Sequence, residues 1–126
     1  MRLYTQKTHI SSAQILAGAT PVDLTPTPPA SQFIIPLSVT LKCNAGTPYS
    51  TVTSNCYIDC DSNNMIAFNP SYVTGGVGSI TVPLSFDPNS TGLLVANKPL
   101  RLNIADNMTG GNGTLDIVVT YITTSI

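Results

Sequence analysis

The side chains able to do chemistry are few: one histidine, His9; six aspartates and no glutamate; and three cysteines, Cys43, Cys56 and Cys60. Histidine-based acid/base work or a catalytic triad would need His9 beside a nucleophile and a carboxylate, and no serine stands in a nucleophile-elbow context. His9 is therefore expected to be exposed or to face a neighbour. A carboxylate pair could divide acid and base roles, but most of the aspartates stand in turn-like contexts, such as Asp87-Pro88 and Asp106-Asn107. There a short carboxylate bonds the local backbone. Asp116 lies within a strand-like run, and a pairing with Arg101 would suit it, on a face open to solvent or to another subunit. The run Asp59-Cys60-Asp61-Ser62-Asn63-Asn64 begins like a calcium loop and then departs from it. Asn64 stands where the sharp turn needs glycine, and Pro70 stands where a bidentate glutamate belongs. A polar hairpin turn is the expectation there.

Cys56 and Cys60 lie about 13 Å apart along one strand, too far to bridge; a bridge between Cys43 and Cys56 on neighbouring strands stays open. The odd count speaks against a disulfide framework, so reduced, buried cysteines are expected. One distant histidine does not complete a zinc site. Gly75-Gly76-Val77-Gly78 has no following lysine or helical pattern, so it is not read as a phosphate cradle. The prolines at 26 and 29 have no basic residue nearby and read as a rigid connector, not as a peptide ligand. No catalytic residue, metal or cofactor is assigned.

Composition says what must position these groups. Only 9% of the 126 residues are charged, against roughly 25% in an average soluble domain. Seventeen threonines, ten prolines and nine glycines accompany three lysines, two arginines and no glutamate, a poor recipe for helices. The chain reads as all-β. A net charge of −1 gives no basic surface for nucleic acid, and it leaves little repulsion between copies, which favours self-association. No membrane-length apolar run and no signal-peptide pattern is visible. The expectation is a protein made in a cytoplasm that stays soluble or leaves without a cleaved signal.

The strongest strand signal is at the end of the sequence. A turn containing Gly110, Gly111 and Gly113 feeds a run in which Leu115, Ile117, Val119 and Tyr121 share one face and Asp116, Val118, Thr120 and Ile122 the other. Neither face is strictly polar, so a central strand covered on both sides is expected. Residues 33–43 form a second long strand, with Leu37, Val39, Leu41 and Cys43 inward and Pro36 at an edge or bulge. Residues 55–61 follow, with Cys56, Ile58 and Cys60 inward, and Asn63-Asn64 then turns into residues 65–68. Residues 80–86 carry Ile80, Val82, Leu84 and Phe86 on one face, and residues 99–105 carry Leu100, Leu102 and Ile104 inward against Arg101 and Asn103. Shorter strands are expected at residues 11–17, 19–24, 49–52 and 93–96. Residues 69–78 read as the most mobile loop. Residues 1–10 have a weak alternation and read as an extended arm free to lie on a neighbour, before one domain spanning 11–126. About eight strands without a helical period predict an antiparallel two-sheet β-sandwich, jelly-roll-like.

Two parts of the chain carry a family resemblance. Ile10-x-x-Ala13-Gln14-Ile15-Leu16-Ala17, then Thr20-Pro21-Val22-x-Leu24 and Pro28-x-Ala30, resembles the start of small β-sandwich structural proteins of tailed bacteriophages. Asn97-x-Pro99-Leu100, Thr109-Gly110-Gly111-Asn112-Gly113-Thr114-Leu115 and Val118-x-x-Tyr121 resemble their end. The resemblance implies a non-enzymatic virion component, a capsid decoration, head-fibre or tail-associated subunit. It would act as a symmetric homo-oligomer, trimer or pentamer, beside other virion proteins; the charge balance and the lack of a membrane-length run lead to the expectation of no nucleic acid or membrane as partner. Leu3, Tyr4, Ile10, Arg101 and Asp116 are the residues expected at the assembly interface. The alternative is a carbohydrate-binding adhesin module that stacks a host glycan on Tyr49, Tyr57 or Tyr72. A depolymerase-type enzyme fares worst, because no acid/base pair can be named.

Overall fold

The computed structural model describes residues 2–50, 56–74, 80–84 and 94–125. Eight strands lie among them: β1 (Tyr4–Ile10), β2 (Val22–Asp23), β3 (Gln32–Asn44), β4 (Cys56–Cys60), β5 (Asn63–Phe68), β6 (Ile80–Leu84), β7 (Leu100–Asn103) and β8 (Thr114–Ser125). They form two four-stranded sheets, ordered β1-β8-β3-β6 and β2-β7-β4-β5, and every adjacent pair is antiparallel. First pairs with last, second with seventh, third with sixth and fourth with fifth, as though one long hairpin had been wrapped around a barrel. That nesting is the jelly roll.

β8 is central, as its composition requires. Leu115, Ile117, Val119 and Tyr121 are buried against the second sheet, while Asp116, Val118, Thr120 and Ile122 are half-buried on the outer face. Its partner β3 contributes Ile34, Val39, Leu41 and Cys43 to the core, and β4 and β7 answer with Cys56, Ile58, Leu100 and Leu102. Pro36 sits at a register shift between Pro36 and Ser38. Proline cannot donate to the ladder, and the extra residue it brings turns Leu37 outward, 50% exposed, instead of into the core as the alternation predicts.

The expected arm is a strand from Tyr4 to Ile10. Tyr4–Ile10 pairs with β8 at all seven positions, from Tyr4 opposite Tyr121 to Ile10 opposite Leu115. The alternation is weak because β1 is an edge strand whose inward positions include Gln6 and Thr8 near the rim, with a fully apolar residue, Ile10, at the deep end.

The expected strand at residues 11–17 is a helix, α1 (Ser12–Leu16). Ser11 caps it through a reciprocal capping box: the Gln14 backbone N–H donates to the Ser11 hydroxyl, and the Ser11 N–H donates to the Gln14 side chain. A second helix, α2 (Ser71–Thr74), interrupts the loop after β5. The β4-β5 turn is Asp61-Ser62, both at positive φ, two residues before the expected Asn63-Asn64 turn; a two-residue hairpin loop needs that backbone hand. Leu94, Val95 and Ala96 form no strand, and Ser50 makes only an isolated bridge to Thr109. Phe86 and the second part of the expected mobile loop, residues 75–78, lie outside the described residues, as do Asp87 and residues 51 and 52. The three cysteines are free and buried. Cys43 and Cys56 lie in opposite sheets, not on adjacent strands of one.

Candidate functional site

Two surfaces concentrate the polar chemistry, one on the outer face of each sheet. On the β2-β7-β4-β5 sheet, register places Asp23, Arg101 and Asp59 side by side. Asp59 has no solvent exposure, and both its oxygens are occupied: Arg101 donates from Nε to Oδ1 at 2.9 Å and from a terminal nitrogen to Oδ2 at 3.2 Å. Asn103 Nδ2 adds a third bond to Oδ2 at 3.0 Å. Hydrogen bonding to Asp59 raises the Arg101 pKa and locks in its charge. Three hydrogen bonds already engage this carboxylate, and the calcium-like run is a hairpin strand and turn. Arg101 does not pair with Asp116, because the two lie on different sheets.

Asp116 instead sits on the outer face of the β1-β8-β3-β6 sheet. His9 lies opposite it on β1, with Nδ1 at 2.9 Å from Oδ1, and Asn44 Nδ2 donates to Oδ2 at 3.1 Å from β3. These two bonds, His9 first, hold the Asp116 carboxyl below its ordinary pKa. His9 is exposed, as expected, and among the described residues no nucleophile is hydrogen-bonded to the pair. Lys42 continues the row opposite Asp116 on β3, and Lys7 stands opposite Val118 in the next. Toward the other end the face turns apolar, with Ile122 opposite Ile35 and the bulged Leu37 beside them. Leu3, 59% exposed, precedes β1 at the same end.

The residues expected at an interface therefore part company. Leu3 and Asp116 lie on or beside this open face, whereas Tyr4 points to the inner side, half-buried against the core and stacked on Tyr121, and Arg101 belongs to the opposite sheet. Ile10 is fully buried, which places it in the core and not at a surface. The tyrosines expected to stack on a glycan fare differently. Tyr49 is buried, with its hydroxyl donating to the Gly113 carbonyl at 2.6 Å and its ring lying where a Cβ on Gly111 would stand. Tyr72 is half-buried against the core, and Tyr57 is half-buried on β4. Asn44 and Asn103, which complete the two carboxylate networks, went unmarked in the sequence. Alternation puts each on an outward position, but a cross-strand partner many tens of residues away leaves no local trace.

Burial pushes the Cys43 thiol up to about 11 and the Cys56 thiol to about 12, so neither is a thiolate nucleophile at neutral pH. Among the described residues no group of three or more histidine, cysteine or acidic side chains could hold a metal.

No protein-family model matches the chain, and neither does any curated protein. Among solved structures, the fold is similar to a chain of the cyanophage Pam1 capsid asymmetric unit, with a TM-score of 0.62 and 18% identity, covering 95% of this chain and 84% of that one.

Proposed function

We propose that this protein is a structural subunit of a bacteriophage virion, acting through assembly with copies of itself and with other virion proteins and not through catalysis. The observation that carries the reading is the fold shared over nearly the whole chain with a protein of a cyanophage capsid. The open face of the β1-β8-β3-β6 sheet supports it: half-buried Val118 and Ile122 with exposed Leu37 and Leu3 provide apolar surface for packing, and Lys7, Lys42 and Asp116 provide charges that fix orientation. The decoration, head-fibre and tail-associated roles all use such a subunit, and a closed ring of three or five copies is the arrangement favoured.

The test has two arms. Mass measurement of the full chain over a range of concentrations should give a discrete oligomer, and cryo-electron microscopy of purified particles should find density that fits the jelly roll. A strict monomer at high concentration, together with absence from particles, overturns the reading.

A further inference from the structure

A cleft of about 530 Å³ runs between the proline-rich strap at residues 26–29 and the margin of β1 and β8. It belongs to neither carboxylate network. Its lining includes Tyr4, Gln6, Gln32, Tyr121 and Thr123 with the prolines of the strap, and no charged side chain. The cleft beside Arg101 differs, being lined by Asp23, Asp61, Lys98 and Arg101. The Tyr4 and Tyr121 rings stack with centroids 5.3 Å apart and planes 18° from parallel. The Arg2 guanidinium lies over the Tyr4 ring at 5.1 Å and does not line the cleft.

The walls are fixed independently of any ligand. Three prolines stiffen the strap. Asn97 tethers it, donating from Nδ2 to the Pro28 carbonyl at 2.7 Å, and the Gln32 N–H closes its end on the Pro29 carbonyl. Register with β8 fixes Tyr4 and Gln6 on the other side. The side-chain amides of Gln6 and Gln32 and the hydroxyls of Tyr4, Tyr121 and Thr123 make no hydrogen bond to any described residue, and none of them is sealed from solvent. Amides offer donors and acceptors in equal measure, and hydroxyls do the same. A prearranged, uncharged, aromatic-edged cleft of this size suits a small neutral molecule rich in hydroxyls, with apolar C–H surface for the rings. It suits an ion poorly, since nothing there would offset the lost hydration. An extended peptide would look for deep apolar pockets, which the amides and hydroxyls interrupt.

We propose that this cleft is a binding site for a neutral saccharide of one to three sugar units. Tyr4, Gln6, Gln32, Tyr121 and Thr123 are not among the residues named for the assembly face, so the site holds whether or not the subunit reading does.

The test is a nuclear magnetic resonance titration of the isotope-labelled full chain with three neutral disaccharides (maltose, cellobiose and lactose), a sialylated trisaccharide and a proline-rich peptide. At least one neutral disaccharide should shift the resonances of Tyr4, Gln6, Gln32, Tyr121 and Thr123 together, saturating with Kd of about 1 mM, the range of a weak small-ligand site. Gln6→Ala and Gln32→Ala, at positions whose side chains make no hydrogen bond to a described residue, should each weaken that binding about three- to tenfold while leaving resonances away from the cleft unchanged. Tyr4→Phe, which keeps the stack, should weaken it to a similar degree. Silence of the cleft toward all three disaccharides, shifts confined to another surface, or a response to the peptide or the sialylated sugar alone overturns the proposal.

Discussion

Both sheets carry a carboxylate bound across strands by a cationic or cationisable side chain, yet the two arrangements are not equivalent. Asp59 is wholly removed from water, gripped by both arms of the Arg101 fork and by Asn103. Asp116 lies on an open face and is held by His9, whose side chain is 59% exposed. Coulombic attraction is screened where solvent reaches the pair, and a carboxylate stripped of water depends entirely on its protein partners. Similar contact distances therefore conceal unequal stakes. Asp59 is a structural commitment of the sheet, while Asp116 keeps a surface orderly and free to engage something else.

Removing the partner of the buried carboxylate should hurt most. Arg101→Ala strands Asp59 with only Asn103 and should cost about 3–5 kcal/mol of stability, read as a lowered urea midpoint at constant m-value. Asp59→Ala is expected to cost less, roughly 2 kcal/mol, because Arg101 is part-exposed and can turn to water. A larger loss for Asp59→Ala than for Arg101→Ala would break the contrast.

The open pair should show itself through pH. Asp116 has a folded pKa below its unfolded one, so in acid the unfolded chain binds more protons. Its contribution is complete above the ordinary carboxylate pKa of about 4 and disappears as pH falls through the depressed value. Asp116→Asn should accordingly flatten the loss of stability on acidification while shifting the neutral-pH midpoint by no more than about 1 kcal/mol. A variant as acid-sensitive as the parent would refute this. The smallest effect belongs to His9→Ala, under about 0.5 kcal/mol at neutral pH and vanishing at high salt, checked by unfolding at two ionic strengths.

How much could be read from residues alone follows the range of the interaction concerned. The inward rows of β3, β4, β7 and β8 were legible because alternation is local and one face of each is buried. Pro36 marked its bulge for the same reason, though the bulge then reversed the expected side for Leu37. The capping box of α1 was present as Ser11 and Gln14, but five helical residues are too few to show a period. β1 reads as an arm in sequence because the polar Gln6 and Thr8 occupy inward positions. The pairings Asp59 with Arg101 and Asp116 with His9 depend on register between distant strands, which no local pattern encodes. Tyr49, Tyr57 and Tyr72 are the tyrosines that sequence offers as carbohydrate platforms, while the uncharged cleft lies where Tyr4 meets Tyr121, a meeting that only strand pairing brings about.

The nested strand order also bears on how the chain is made. β8 joins β1 to β3 and is the last of the described strands to leave the ribosome, so half of the sandwich waits, unstitched, until residues 114–125 have been made. Such distant pairings fold slowly. The exposed flanks of β1 and β3 are meanwhile open to strands from other nascent copies, and a message cut short before residue 114 would yield sticky, unclosed polypeptide instead of a shortened but serviceable subunit.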